Sequence, residues 1–204
     1  MRCAIALIAI SIATSEAAID LTATLTEDKA NGLTSKQLVF KDGTKQITYD
    51  LPLQWTHRNV GGSVKLAAPA GSNADIVIQA VALAAPQPLD EKGVAQARQH
   101  FTQDVPPTAQ TLKVTENLNT VPFKGANCEF TATYQALGEN FTRRALYINL
   151  PDTQLIFRLT ARKTDFERLW RTFRSSILSW QWVEPSSTAA IAEKNQATVA
   201  SARP

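Results

Sequence analysis

The sequence predicts an α+β domain, an antiparallel sheet flanked by helices in an α/β/α sandwich. Three observations predict it. Short runs of alternating apolar and polar residues recur along the chain, joined by connections too short to hold crossover helices. Two other stretches carry apolar residues at helical spacing. One strand candidate, DIVIQAVAL, is apolar on both faces, as a strand covered above and below must be.

The chain begins MRCAIALIAISIATSEAAID. Arg2 gives a short positive start, residues 3–13 are apolar, and Ser15 and Ala17 are the small residues that a signal peptidase reads. The expectation is a secretory signal peptide over residues 1–17, cleaved after Ala17 or Ala18, and an exported protein, periplasmic or secreted. The apolar run is too short to cross a bilayer, which takes about 20 residues. With that segment removed, 20 basic residues face 17 acidic ones, a mild excess that does not point to nucleic acid. Cys128 is then the single cysteine. An intramolecular disulfide is impossible, and stability must come from the core. Cys128 lies in NCEFTATY in line with Phe130 and Tyr134, the setting of a small buried hydrophobe.

Residues 19–183 read as one domain with its core over 47–183. Leu21, Ala23 and Leu25 alternate with threonines in a first strand. KQLVF and KQITYDL follow, joined by KDGT, where Asp-Gly signals a hairpin. Pro52 interrupts, NVGG is a turn, and SVKLAAP is a short strand before the two-faced run at Ile76–Leu83. Prolines then bracket a first helix. Asp90 is placed to cap it, and Val94, Ala97, Phe101 and Val105 form its apolar stripe. Gly93 weakens that helix by something like 1 kcal/mol relative to Ala. TLKVT, NCEFTATYQAL, NFTRRALYINL and TQLIFRLTAR complete the strands as a meander.

The last structured stretch is KTDFERLWRTFRSSILSW. Thr164 and Glu167 match a capping box. Phe166, Leu169, Trp170, Phe173, Ile177 and Trp180 fall on one helical face. Each such side chain gains roughly 1.5–3 kcal/mol on burial, so this face is expected to cover the sheet. Glu167 and Arg171 stand at a spacing that allows pairing on the outer side. Residues 184–204 are rich in Ala, Ser and Thr without an aromatic, and read as a disordered tail.

This order of elements resembles the PsbP/Mog1 superfamily. The residues that carry the likeness are YDLPLQW at 49–55, the long meander, and the closing helix ending FRSSILSW, over about residues 47–183. The resemblance implies an antiparallel sheet between helices and an accessory or binding role without shared catalytic machinery. It names no partner.

Direct signs of chemistry are few. There is no HExxH, CxxC, GxSxG or glycine-rich phosphate loop, so no catalytic residue, metal site or cofactor is assigned. His57 in WTHR and His100 beside Phe101 stand in no recognisable catalytic setting. Arg162, Lys163, Arg168, Arg171 and Arg174 form the one notable charge cluster. Arg168, Arg171 and Arg174 are therefore the candidate surface for an acidic partner, lipid head groups or peptidoglycan-associated anions, set against the plainer reading of a solvated helix face. Three functions compete. The first is a non-catalytic binding or accessory protein of the cell envelope, working as a monomer on an unknown protein partner. The second is a carrier of a small apolar ligand, with a pocket lined by Trp55, Phe101, Tyr134 and Phe157. The third is a hydrolase using His57.

Overall fold

The computed structural model describes residues 19–183, apart from 31–32, 70–71 and 123–124. The segment read as a signal peptide, 1–17, and the stretch read as a tail, 184–204, lie outside the described residues. Described elements run in this order: β1 (Ile19–Ala30), β2 (Leu33–Asp42), β3 (Lys45–Leu51), β4 (Thr56–Val60), β5 (Ser63–Ala67), β6 (Ala74–Ala82), α1 (Glu91–Gln103), β7 (Gln110–Leu118), β8 (Ala126–Ala136), β9 (Glu139–Asn149), β10 (Thr153–Arg162), α2 (Lys163–Ile177) and β11 (Gln181–Val183).

The strands form two antiparallel sheets. The smaller has the order β1-β2-β3-β11, and the larger has the order β4-β5-β6-β10-β9-β8-β7. This corrects the α/β/α sandwich expected from the sequence. The protein is mostly β, and the layer facing one side of the large sheet is itself largely a sheet. The reason lies in the first three strands. Leu21, Leu38, Phe40, Ile47 and Tyr49 stand at alternate positions of their strands, with less buried residues between them, and are almost wholly buried. They point inward as a layer of the core, where the sequence suggested only a hairpin ahead of it.

Pleating divides the large sheet's side chains between two cores. Leu146, Ile148, Leu155, Phe157 and Leu159 cluster with α2 and the small sheet. Ala145, Tyr147, Ile156, Phe130 and Ala132 cluster with Val94, Ala97 and Phe101 of α1 on the other face. β6 lies between β5 and β10, as its apolar sequence predicts. Its Ile76, Val77 and Ile78 are buried, but Val81, near its end, is exposed.

Local chemistry fixes the ends of elements. The Asp90 carboxylate accepts the Gly93 N–H at 2.9 Å and caps α1. Gly93 is needed there, because a Cβ would lie 2.1 Å from the Pro88 carbonyl oxygen. The expected capping box on α2 does not form. The helix begins at Lys163, directly out of β10, and has no side-chain cap. Glu167 turns instead toward Arg144, 3.7 Å away. At the bulge of β1, between Asp20 and Thr24, the Asn59 side chain of β4 receives the Ala23 N–H at 3.1 Å and donates to the Ala23 carbonyl at 3.3 Å. In the middle of the large sheet, Arg158 of β10 bridges Asp75 of β6 (3.4 Å) and Asp104 after α1 (2.7 Å).

The small sheet is tied to α2 by one buried hydrogen bond. The Ser176 hydroxyl donates to the Phe173 carbonyl at 2.7 Å, so the Tyr49 hydroxyl, 2.6 Å away, is the donor to Ser176. Replacing Tyr49 by Phe keeps the ring and removes this donor. We expect a loss of ~1 kcal/mol, read as a lower denaturant midpoint at unchanged slope. A second expectation concerns the β8–β9 turn. Leu137 sits there fully exposed with φ +54°, beside Gly138 at φ +77°. Two positive φ values suit Asn-Gly, so Leu137→Asn should raise stability by roughly 0.5–1 kcal/mol in the same assay.

Candidate functional site

Burying one face of α2 leaves its arginines outside. Arg168, Arg171 and Arg174 are all exposed. Arg168 reaches Asp165 at 3.6 Å and the Ser72 hydroxyl at 3.2 Å. Arg171 does not pair with the Glu167 carboxylate as its spacing suggested. It donates to the Glu167 backbone carbonyl at 3.3 Å. Arg174 donates to the Thr120 carbonyl at 2.6 Å, which fastens the helix to the β7–β8 connection. Among the described residues, neither Arg171 nor Arg174 has a carboxylate within 4 Å. The ridge therefore presents two cations outside any ion pair of 4 Å or less among the described residues, although Arg174 lies within electrostatic reach of Glu129.

Beneath it lies a layer that the sequence did not reveal. The Arg144 guanidinium stands 5.2 Å from the Phe166 ring centre and 5.0 Å from that of Trp170. Its Nε donates to the Thr131 hydroxyl at 2.9 Å and lies 3.7 Å from Glu129. Glu129 is only 5 % exposed, and its Oε2 has no hydrogen-bond partner. Burial pushes its carboxyl above the ordinary range, while Arg144 and Arg174 pull it down. Along NFTRRALYINL, consecutive arginines must face opposite ways. That alternation is the only sequence sign that Arg144 turns toward α2 and Arg143 toward α1. The register pairing Thr131 with Arg144 supplies the rest.

The four residues expected to line an apolar pocket do not come together. Trp55 stacks on Phe173 and Phe157 meets Trp180 edge-on, in the core beneath α2. Phe101 stacks on Phe130, and Tyr134 on Phe141, on the opposite side of the large sheet. All four are at most 4 % exposed.

The residues that could carry chemistry are dispersed as well. Cys128 is fully buried, and burial pushes its thiol up to about 12. His57 sits on the edge strand β4, where partial burial lowers its pKa. His100 projects from α1 with Nδ1 3.4 Å from the Tyr147 hydroxyl. Among the described residues, no group of three His, Cys, Asp or Glu side chains could hold a metal ion, and no helix is long and apolar enough to cross a membrane.

No family model matches the chain, and no curated protein does. The PsbP/Mog1 resemblance therefore rests on sequence spacing alone. Among solved structures, the chain is similar to LpqN, described as involved in cell envelope biogenesis of Mycobacterium tuberculosis. The two are 14 % identical with a TM-score of 0.49, over 80 % of this chain and 93 % of LpqN. A likeness at that level assigns neither a family nor a function.

Two outcomes test the buried layer. Arg144→Ala should cost ~3 kcal/mol, because it strands the Glu129 carboxylate and opens the aromatic cage. Glu129→Gln should act in the opposite sense. A carboxyl whose pKa is higher in the folded chain holds more protons there than in the unfolded chain. It thus lowers stability as pH rises above its ordinary 4.5 toward its folded value. The stability of the Gln variant relative to the parent should grow across that window in denaturation curves taken at successive pH. The Cys128 thiol should resist an aromatic disulfide reagent in the native state and react fully once denatured.

Proposed function

We propose that this chain is a non-catalytic binding protein of the cell envelope, exported and monomeric, and that it docks an acidic protein partner through the α2 ridge. The observation that carries this reading is the pair Arg171 and Arg174, exposed and in no ion pair of 4 Å or less among the described residues, on a helix whose other face is buried. The aromatic cage and Thr120 hold that helix in place, so the cations are presented on a rigid element. Export is proposed from the N-terminal sequence. An accessory role fits the burial of Cys128 and the dispersal of the two histidines.

Reversing two charges tests the ridge while sparing the Arg174 anchor. Parent protein and the variant Arg168→Glu/Arg171→Glu are each used to capture partners from envelope extracts. We expect one acidic protein that the parent recovers at least roughly tenfold more efficiently, with recovery falling as salt shortens the screening length to ~8 Å. Equal recovery by both proteins would refute the assignment of the ridge. Mass measurement of the exported protein should place the mature N-terminus at Ala18 or Ile19.

A further inference from the structure

A second site lies at the open end of the core between the two sheets, away from the α2 ridge. A recess of about 490 Å3 is bounded there by the start of β1, both flanks of the β2–β3 turn, the β9–β10 turn and β11. That volume is within the ~300–1,000 Å3 typical of small-molecule sites.

Its wall contains the one tryptophan that the core leaves partly open. Trp55, Trp170 and Trp180 are 3–5 % exposed, whereas Trp182 is only half-buried. Its position is nevertheless fixed. The indole N–H donates to Asp42 Oδ2 at 2.7 Å, and the ring packs edge-on against Trp180 at 6.4 Å. An indole held at both ends offers a flat apolar platform that costs little entropy to use.

The polar groups around it are also preset. Asn149 donates to the Gln87 carbonyl and accepts from Gln154, each at 2.8 Å. Asp152 accepts the Thr153 hydroxyl at 3.1 Å. Gly125, at φ +122°, lets the backbone pass so close to the Asn149 carbonyl that a Cβ would lie 2.7 Å from it. Leu150 and Pro151 add aliphatic surface between these groups.

The charges choose among ligand classes. Among the described residues the recess brings together Asp42, Asp152 and Lys45, one negative charge in excess, which disfavours an anionic ligand. A purely apolar ligand would desolvate both carboxylates, whose remaining acceptor lone pairs, beyond the Trp182 and Thr153 donors, it could not satisfy. A neutral ligand whose C–H face covers the indole while hydroxyls at its rim donate to carboxylates meets both conditions. We propose that this recess binds a neutral saccharide, stacked on Trp182 with its hydroxyls directed at Asp42 and Asp152.

The test uses the side-chain N–H resonances of the four tryptophans in the 15N-labelled protein, titrated with maltotriose and with chitotriose. We expect one or both sugars to shift the Trp182 resonance in a saturable way with a Kd of ~1 mM, the range of a shallow preformed site. The Trp55 and Trp170 resonances should stay in place. Trp182→Phe should weaken binding roughly tenfold, followed on the Trp180 resonance, and Asp152→Ala should weaken it with all four indole signals retained. Arg168→Glu/Arg171→Glu should bind the sugar like the parent, so failure of the ridge assignment and failure of this one are separate results. Absence of any shift with both sugars at ~20 mM, or an equal shift with hexanol, overturns the proposal.

Discussion

The position of the Trp180 indole is the constraint on which the rest of this structure depends. It stacks on Phe40 of the small sheet at 5.3 Å and meets Phe157 of the large sheet edge-on at the same distance. It also packs against Tyr49, whose hydroxyl is bonded to Ser176 of α2. Two sheets and a helix therefore share one ring. Such a ring cannot shift without disturbing all three layers, because interiors this dense deform in steps rather than smoothly. The chain reaches it immediately after α2, through a last turn in which the Trp180 backbone N–H donates to the Ile177 carbonyl.

From that junction the two exposed features diverge. Toward the C-terminus the chain leaves Trp180 along β11 and places Trp182 at the mouth of the intersheet core. Toward the N-terminus, α2 carries its arginines along the outside while Phe166 and Trp170 enclose Arg144. One amphipathic segment thus closes the core and orders two separate surfaces. The enclosed arginine is held by aromatic faces and by Glu129, and the carboxylate is in turn tolerable only because Arg144 is there.

Much of this was legible in the residues. The inward face of α2 follows from the spacing of Phe166, Leu169, Trp170, Phe173 and Ile177, while Trp180, expected on the same helical face, lies beyond the helix end at Ile177 and is buried all the same; the stripe Val94, Ala97, Phe101 identified α1. Asp90 was recognisable as a cap because its chemistry is local. The turn at Asp42–Lys45 was visible in Asp-Gly, and it joins β2 and β3 in register. What stayed hidden depends on contacts remote in sequence. Alternation in the first three strands shows that they have an inner face, but not that the face completes the main core. Thr164 and Glu167 fit a pattern that a strand running straight into the helix cancels. Arg144 and Glu129 gain their meaning from strand register and from a helix some twenty residues farther on. Trp55, Phe101, Tyr134 and Phe157 are all buried, yet sequence alone could not assign them to opposite sides of one sheet.

The Asn59 clasp on β1 has a consequence for how copies of this molecule meet. β1 is a twelve-residue border strand of the small sheet, and a border of that length invites another chain to zip alongside it. At the bulge, however, both main-chain groups of Ala23 are already occupied by an amide side chain from the neighbouring sheet. An incoming strand would meet an interrupted ladder there and would have to dislodge Asn59 to continue. A single side-chain amide thus occupies the point at which the longest border strand among the described residues would otherwise extend its ladder.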